Sequence, residues 1–354
     1  MRHPSGVPTV ESCIPLRGSR FRFGQPSGIR AENRCSRHSD STRCLRTSAE
    51  IPEMIYIFEV SSDSAEEVVP VTSLYMPTNE EVVEFYNNAI PLIDRLVGTN
   101  VHLGYWESPE DPSTVAEATD RLTDFMIERL AVDSSSRVLD LGCGLGAPAI
   151  RLAKTTGATV VGVATSANLL ERARRSAVEA GVADLVDFQL ADAVELPFGD
   201  SSFDAVLAIE SIVHMPDLPG VFGEVGRVLS DGGHMVATDF FLKGPLVGRR
   251  LEIVEAYRRL SLNTPLLQPE DYPPLLRAAG MHLLEYRDIT QQTMRHHREM
   301  IRAAQRQRAE LVHTYGPEMI DTFISVFEQC LDISEPGYLL FTAERTNRSE
   351  HQPT

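Results

Sequence analysis

The 354-residue chain contains no apolar run near the ~20 residues that a membrane-crossing helix needs, so a membrane-spanning enzyme is not expected and no membrane partner is assigned. Cysteine is scarce: Cys13, Cys35, Cys44, Cys143 and Cys330 are odd in number and form no Cys-x-x-Cys pair. That disfavours a disulfide framework and a structural zinc site, and a reducing cytoplasm is the expected compartment. No cluster of metal ligands stands out, so metal-independent chemistry is expected. Positive charge is in deficit, with 33 basic against 50 acidic residues and a net charge of −17. Such a surface repels phosphate backbones, which makes nucleic acid an unexpected partner.

The deficit is uneven. Residues 1–53 hold nine arginines, no lysine and five acids, a net +4 that leaves −21 for the remainder. Without hydrophobic periodicity this leader reads as disordered, or as an over-extended reading frame ahead of Met54. Its Arg- and Ser-rich composition also resembles an organelle leader, but Glu11, Glu32 and Asp40 interrupt it. Residues 54–132 read as a helical segment with an aromatic loop. Within it 79–97 is helical, with Asn79 as a candidate cap and Pro91 as a break, and could exchange between subunits of a homo-oligomer. VHLGYWE (101–107) is the loop, and 112–132 is an amphipathic helix.

From 133 to 345 short apolar runs alternate with helical ones. RVLDL, TVVGVA, DFQLA, FDAVLAI and HMVATDFF read as buried strands, followed by MHLLEYRDIT and GYLLFTAER. This pattern predicts an α/β fold with a seven-stranded, Rossmann-like, mostly parallel sheet covered on both faces. Residues 244–280 and 290–333 break the alternation with amphipathic helices that follow strand ends. Open α/β sheets bind ligands at that edge, so these insertions are expected to form a lid over a small-molecule substrate. Residues 346–354 read as a disordered tail.

The strongest local signal is VLDLGCGLGAPAIRLA (138–153), in which Asp140 closes a buried strand and Gly142, Gly144 and Gly146 lead into a helix. A dinucleotide loop reads G-x-G-x-x-G and offers helix-start amides to a pyrophosphate. Here the spacing is G-x-G-x-G with an acid just before it. An acid at that point suits a positively charged ligand. A second signal, ADAVELPFGDSSFDAV (191–206), offers the Asp192 carboxylate to an adenine amino group and the Ala193 amide to its ring.

On these residues the chain resembles class I S-adenosylmethionine-dependent methyltransferases. VHLGYWE, ATDRLTD, ESIVHMPD, RVLSDGG and GYLLFTAER extend the resemblance over about 79–345. They make it similar, more narrowly, to actinomycete natural-product methyltransferases such as the rebeccamycin-type sugar O-methyltransferases. The resemblance implies S-adenosyl-L-methionine as cofactor and a secondary metabolite as substrate. It implies that Asp140, Gly142, Gly144 and Gly146 meet the methionine part, that Asp192 and Ala193 hold the adenine, and that Glu210 lies near the sulfonium. Many members carry an acid after the second strand for the ribose. VGVATSA has none and leaves Thr165 and Ser166 for that task.

For the chemistry, His214 after the fourth strand is the expected general base for O-methylation, with Asp239 after the fifth to orient it. Sugar-modifying members often have a second histidine where this chain has Val213. Glu210 carries an alternative: C-methylation of an isoprenoid double bond, in which a carboxylate steadies a carbocation. Tyr105, Trp106, Phe240 and Phe241 are the candidate aromatic faces of the substrate pocket. Arg295, Arg298, Arg302 and Arg306, with Arg249, Arg250, Arg258 and Arg259, form either a solvated face or a diphosphate site. A cofactor-binding module without catalysis and a hydride-transfer enzyme are the remaining readings; the intact loop and its spacing argue against each.

Overall fold

The computed structural model of the protein describes residues 74–98 and 100–346, so the expectations for residues 1–53, 54–73 and 347–354 lie outside the described residues. Two helices come first. α1 (Asn79–Val97) is capped by Thr78 rather than Asn79: the Thr78 hydroxyl accepts from the Glu81 amide, and the Glu81 carboxylate accepts from the Thr78 amide. Pro91 sits inside α1 without ending it. A proline there deletes one helix hydrogen bond, but Ile90, Leu92 and Leu96 around it are buried, and their packing keeps the two halves in line. α2 (Val115–Leu130) is capped in the same way by Thr114 and Glu117, and buries Leu122, Met126 and Leu130.

The alternating part follows as β1 (Arg137–Leu141), α3 (Ala147–Thr156), β2 (Thr159–Ala164), α4 (Ala167–Glu179), β3 (Val186–Leu190), β4 (Phe203–Ile209), α5 (Leu218–Val228) and β5 (Leu229–Leu242). One insertion holds α6 (Gly248–Ser261) and α7 (Tyr272–Ala278). After β6 (Met281–Asp288) the second holds α8 (Thr290–Thr293), α9 (Arg295–Arg306), α10 (Arg308–Tyr315) and α11 (Pro317–Cys330), and β7 (Pro336–Arg345) closes the sheet. The seven strands lie in the order β3-β2-β1-β4-β5-β7-β6, with β7 antiparallel to both neighbours.

Burial on both faces explains the continuous apolar runs. Ala205, Leu207 and Ile209 of β4 project into a cluster with Leu122 and Met126, while Val206 and Ala208 project into one with Phe222 and Leu276. Thr346 is anchored, its amide and hydroxyl both donating to the Gly280 carbonyl, so the expected tail does not begin there. Strand order reverses between β1 and β4, and the crevice outside their carboxyl ends is where this topology places ligands. α1 lies along that edge, with Ile90 packed on Leu145 of the glycine loop and Leu169 of α4.

Thr78→Ala removes half of the α1 cap, a loss of about 1 kcal/mol. Native-state amide exchange over residues 79–86 should then accelerate by about fivefold while the β1 and β4 amides are unchanged.

Candidate active site

Gly142, Gly144 and Gly146 all take positive φ, at +81°, +50° and +79°. Two of them are also forced by space. A Cβ on Gly142 would stand 2.3 Å from the Ser211 Cβ, and one on Gly146 would stand 2.5 Å from the Phe188 ring. Ser211 is pinned under the loop by donating to the Leu141 carbonyl at 2.5 Å. The chain therefore folds back tightly after β1 and leaves Asp140 beneath the loop, only 2% exposed. The Asp140 Oδ2 has no hydrogen-bond partner among the described residues, and burial pushes its carboxyl up to about 7. A buried, unpartnered carboxylate fits a permanently cationic ligand and opposes a phosphate.

At the next strand end Glu210 holds a non-glycine φ of +50°, a strained conformation of the kind that clusters at functional sites. Its Oε1 accepts from the Leu103 amide at 2.5 Å and from the Tyr338 hydroxyl at 2.6 Å. Burial again pushes this carboxyl up to about 7, against the lowering effect of those two bonds. Tyr338 also shares a 2.8 Å hydrogen bond with Thr238 Oγ1.

His214 lies on a single 3-10 turn, Ile212–His214, directly after Glu210 and Ser211. Its Nδ1 is 2.9 Å from the Leu262 carbonyl and its Nε2 is 2.7 Å from the Tyr86 hydroxyl. A carbonyl can only accept, so Nδ1 carries the proton and Nε2 presents a lone pair to Tyr86. Burial lowers the imidazole's pKa and keeps it neutral. A neutral imidazole with Nε2 unprotonated is the form a general base requires, and here that lone pair accepts from the Tyr86 hydroxyl.

Asp239 does not join His214. Its Oδ2 accepts from the Tyr272 hydroxyl and its Oδ1 from the Phe240 amide, each at 2.8 Å. The cause is strand alternation: along β5, Thr238 and Phe240 face Tyr338 while Asp239 and Phe241 face the opposite layer. The same alternation removes Phe241 from the expected pocket and leaves Phe240 in it. Tyr105 and Trp106 are also core residues. Tyr105 stacks on Phe125 with ring centroids 5.1 Å apart, and Trp106 Nε1 donates to the Ser113 carbonyl at 3.0 Å. From their loop it is Leu103 that reaches the pocket.

That pocket is a narrow cavity of about 40 Å3 whose walls include Leu103, Phe240, Tyr257, His297, Phe327 and Tyr338. Both helical insertions contribute to it. His297 is buried, and its Nδ1 has no hydrogen-bond partner among the described residues. Among the described residues no arginine lines it. Arg250 pairs with Glu335, Arg302 with Glu299, and Arg249 with Gln329, while Arg295 and Arg259 lie over the Trp106 and Tyr75 rings.

The remaining expected ligands sit along the same edge. Asp192 accepts from Asn79 Nδ2 at 2.7 Å and from the Val194 amide at 3.2 Å, and Ala193 is buried beside it. Thr165 is exposed just past β2. Ser166 is committed elsewhere: it caps α4 and donates to Asn87 Oδ1 at 3.0 Å. Asn79, Tyr86 and Asn87 all come from α1 and are not among the site residues expected from the sequence, where Asn79 is only a candidate cap; their signal as site residues is an amphipathic helix whose polar side must meet something.

Residues 139–237 match the family described as Methyltransferase domain. The chain is 39% identical over 265 residues to Methyltransferase GfsG of Streptomyces halstedii, covering 75% of this chain and 94% of the relative. It is 34% identical over 270 residues to 27-O-demethylrifamycin SV methyltransferase of Amycolatopsis mediterranei (strain S699), covering 76% and 98%. Among solved structures, the [4+2]-cyclase SpnF superposes with a TM-score of 0.67 at 28% identity, covering 77% of this chain and 98% of that one.

Asp140→Asn tests the loop. The Asp140 carboxyl ionises near 4 in an unfolded chain but near 7 in the fold, so the unfolded state releases its proton first and stability falls as pH rises between those values. The variant should melt higher than wild type at pH 8 and lose that advantage at pH 4. Its affinity for S-adenosylmethionine, measured by calorimetry, should fall by about 10–100-fold.

Proposed function

Because this chain belongs to the class I S-adenosylmethionine-dependent methyltransferases and is a methyltransferase of secondary metabolism, we propose that it methylates a hydroxyl oxygen of a neutral, largely apolar small molecule, with His214 as general base. The observation that carries this reading is the hydrogen-bond pattern of His214, which directs an acceptor lone pair at a hydroxyl only 2.7 Å away. The Tyr86 hydroxyl occupies the place that a substrate hydroxyl would take. The Amycolatopsis relative, a 27-O-demethylrifamycin SV methyltransferase, supports an oxygen acceptor for this scaffold.

Asp140 and the glycine loop would hold the methionine part of the cofactor, Asp192 and Ala193 the adenine, and Thr165 the ribose edge. The cofactor, when bound, supplies a methyl group on a sulfonium, already activated toward displacement. What remains for the protein is alignment and proton removal. Alignment of reacting groups can contribute ~7–11 kcal/mol. His214 Nε2 would accept the proton that the substrate hydroxyl loses on methylation, the electron pair of the broken methyl–sulfur bond staying with the sulfur. Nδ1–H stays on the Leu262 carbonyl throughout, so the ring is held through both protonation states. Glu210, fixed by Leu103 and Tyr338, offers negative charge beside the cationic centre.

The wall composition supports a neutral substrate. Leu103, Phe240, Phe327 and their neighbours offer apolar surface, with His297, Tyr257 and Tyr338 as polar points. A diphosphate would need cationic partners, and the described residues of this wall supply none, which weighs against the isoprenyl diphosphate alternative.

His214→Ala should lower kcat by about 10²–10⁴-fold while S-adenosylmethionine affinity stays within about twofold, a change worth under ~0.5 kcal/mol. The substrate class is tested by incubating the enzyme with neutral alcohols, phenols and prenyl diphosphates and weighing the products. A methyl ether from a neutral alcohol is the expected product. Methylation of a prenyl diphosphate carbon, or undiminished turnover by the variant, would overturn the reading.

A further inference from the structure

We propose that Arg258 is a positioning residue that holds His214 in its base-competent tautomer through the loop Leu262–Thr264. This rests on His214 being the base, and it replaces the expected carboxylate partner with a backbone carbonyl under remote control.

The chain of contacts is continuous. α6 ends at Ser261, and Leu262 takes φ +51°. A left-handed non-glycine residue costs on the order of 1–2 kcal/mol, so the surroundings must impose it. That turn aims the Leu262 carbonyl at His214 Nδ1, 2.9 Å away. Two residues on, the Thr264 amide donates to the Val213 carbonyl at 2.7 Å and ties the loop to the turn that carries the base.

Arg258 grips the other side of the same loop. It is 2% exposed, among the most deeply buried large side chains described. Its Nε donates to the Thr264 carbonyl at 2.8 Å, and its Nη2 to the Asn263 carbonyl at 3.1 Å and the Tyr75 carbonyl at 2.9 Å. Its Nη1 pairs with Glu255. Burial of a guanidinium is costly unless its donors are met, and here they are met almost entirely by the loop and by Glu255. Only a planar fork with five donors can bridge three carbonyls and a carboxylate; a lysine ammonium cannot. Arg258 therefore fixes two carbonyls of the loop, and the loop presents the third, that of Leu262, to the imidazole.

A carboxylate at Nδ1 would orient the ring and also attract charge onto it. A carbonyl orients it with far less effect on its charge. The geometry thus separates orientation of the base from electrostatic stabilisation, which is left to Glu210 near the cofactor edge.

The test is a long-range proton–nitrogen spectrum of the full-length protein labelled with 15N-histidine, with His214 assigned by its loss in His214→Gln. Wild type should show His214 protonated at Nδ1 and bare at Nε2. In Arg258→Met the single-tautomer signature should be lost, with both nitrogens shifted to averaged positions. Circular dichroism and melting establish that the variant is folded. If Arg258→Met does not fold, Arg258→Lys, which keeps the charge and a donor, is read for the same loss. A wild-type His214 protonated at Nε2, an unchanged tautomer in a folded variant, or failure of both variants to fold would overturn the assignment; the last would make Arg258 a folding residue. No substrate enters this measurement, so its failure is separable from failure of O-methylation, which product mass reports.

Discussion

Carboxyl groups that the fold buries without a counter-charge are the constraint around which this site is organised. Asp140 beneath the glycine loop and Glu210 at the end of β4 both have burial as the main cause of a raised pKa. Glu210 has two hydrogen-bond donors, yet neither donor is a cation. Removing a carboxylate from water without a counter-charge is unfavourable by several kcal/mol. Folding tolerates this because the strand ends are fixed by the apolar layers on either side of the sheet. A cationic ligand turns the same arrangement into a favourable one, whereas a pyrophosphate in that crevice would add like charge. The glycine spacing and the charge lead by separate routes to the same class of cofactor.

Much of the fold was legible because its signals are local. Strand runs with helices between them, and three glycines after a strand that ends in an acid, depend on neighbours in sequence. Residue pairs that depend on which way a strand faces were less legible. Asp239 and Phe240 are adjacent, and the sequence places both at the end of β5, yet only Phe240 faces the pocket. Assigning that face requires knowing the register against β7 and the position of Tyr338, which come from distant parts of the chain. Tyr105 and Trp106 fail for another reason. An aromatic loop carries the same composition whether it lines a pocket or plugs the core, and here Phe125 and Ser113 decide it. The cap of α1 was missed by one residue, where Thr78 with Glu81 outcompetes Asn79 because it satisfies two backbone donors reciprocally.

α1 connects these observations. Asn79 reaches Asp192 beyond β3, Asn87 reaches Ser166 beyond β2, Tyr86 reaches His214 beyond β4, and Ile90 covers the loop beyond β1. One helix thus touches four of the five parallel strand ends, those of β1 to β4. Its polar contacts engage the groups proposed for adenine recognition and for proton removal. The uninterrupted run through Pro91 matters here, since a break at that point would uncouple Tyr86 from the half of the helix buried against α9 and α11.

If the proposed substrate binds in the cavity beside Phe240, the size of that cavity constrains how it arrives. About 40 Å3 compares with the ~300–1,000 Å3 of typical small-molecule sites, so a substrate bound there, as proposed, would require α6 and α11 to separate first. Separation exposes the apolar faces of Tyr257 and Phe327, which is unfavourable at roughly 25 cal/mol per Å2. A substrate with an apolar body covers those faces again and offsets the loss. A charged or heavily hydroxylated one leaves its own polar groups unmatched against the same wall and does not. Under the proposed O-methylation, selection for an apolar substrate would therefore be built into the opening step, before the hydroxyl takes the place of Tyr86 at His214.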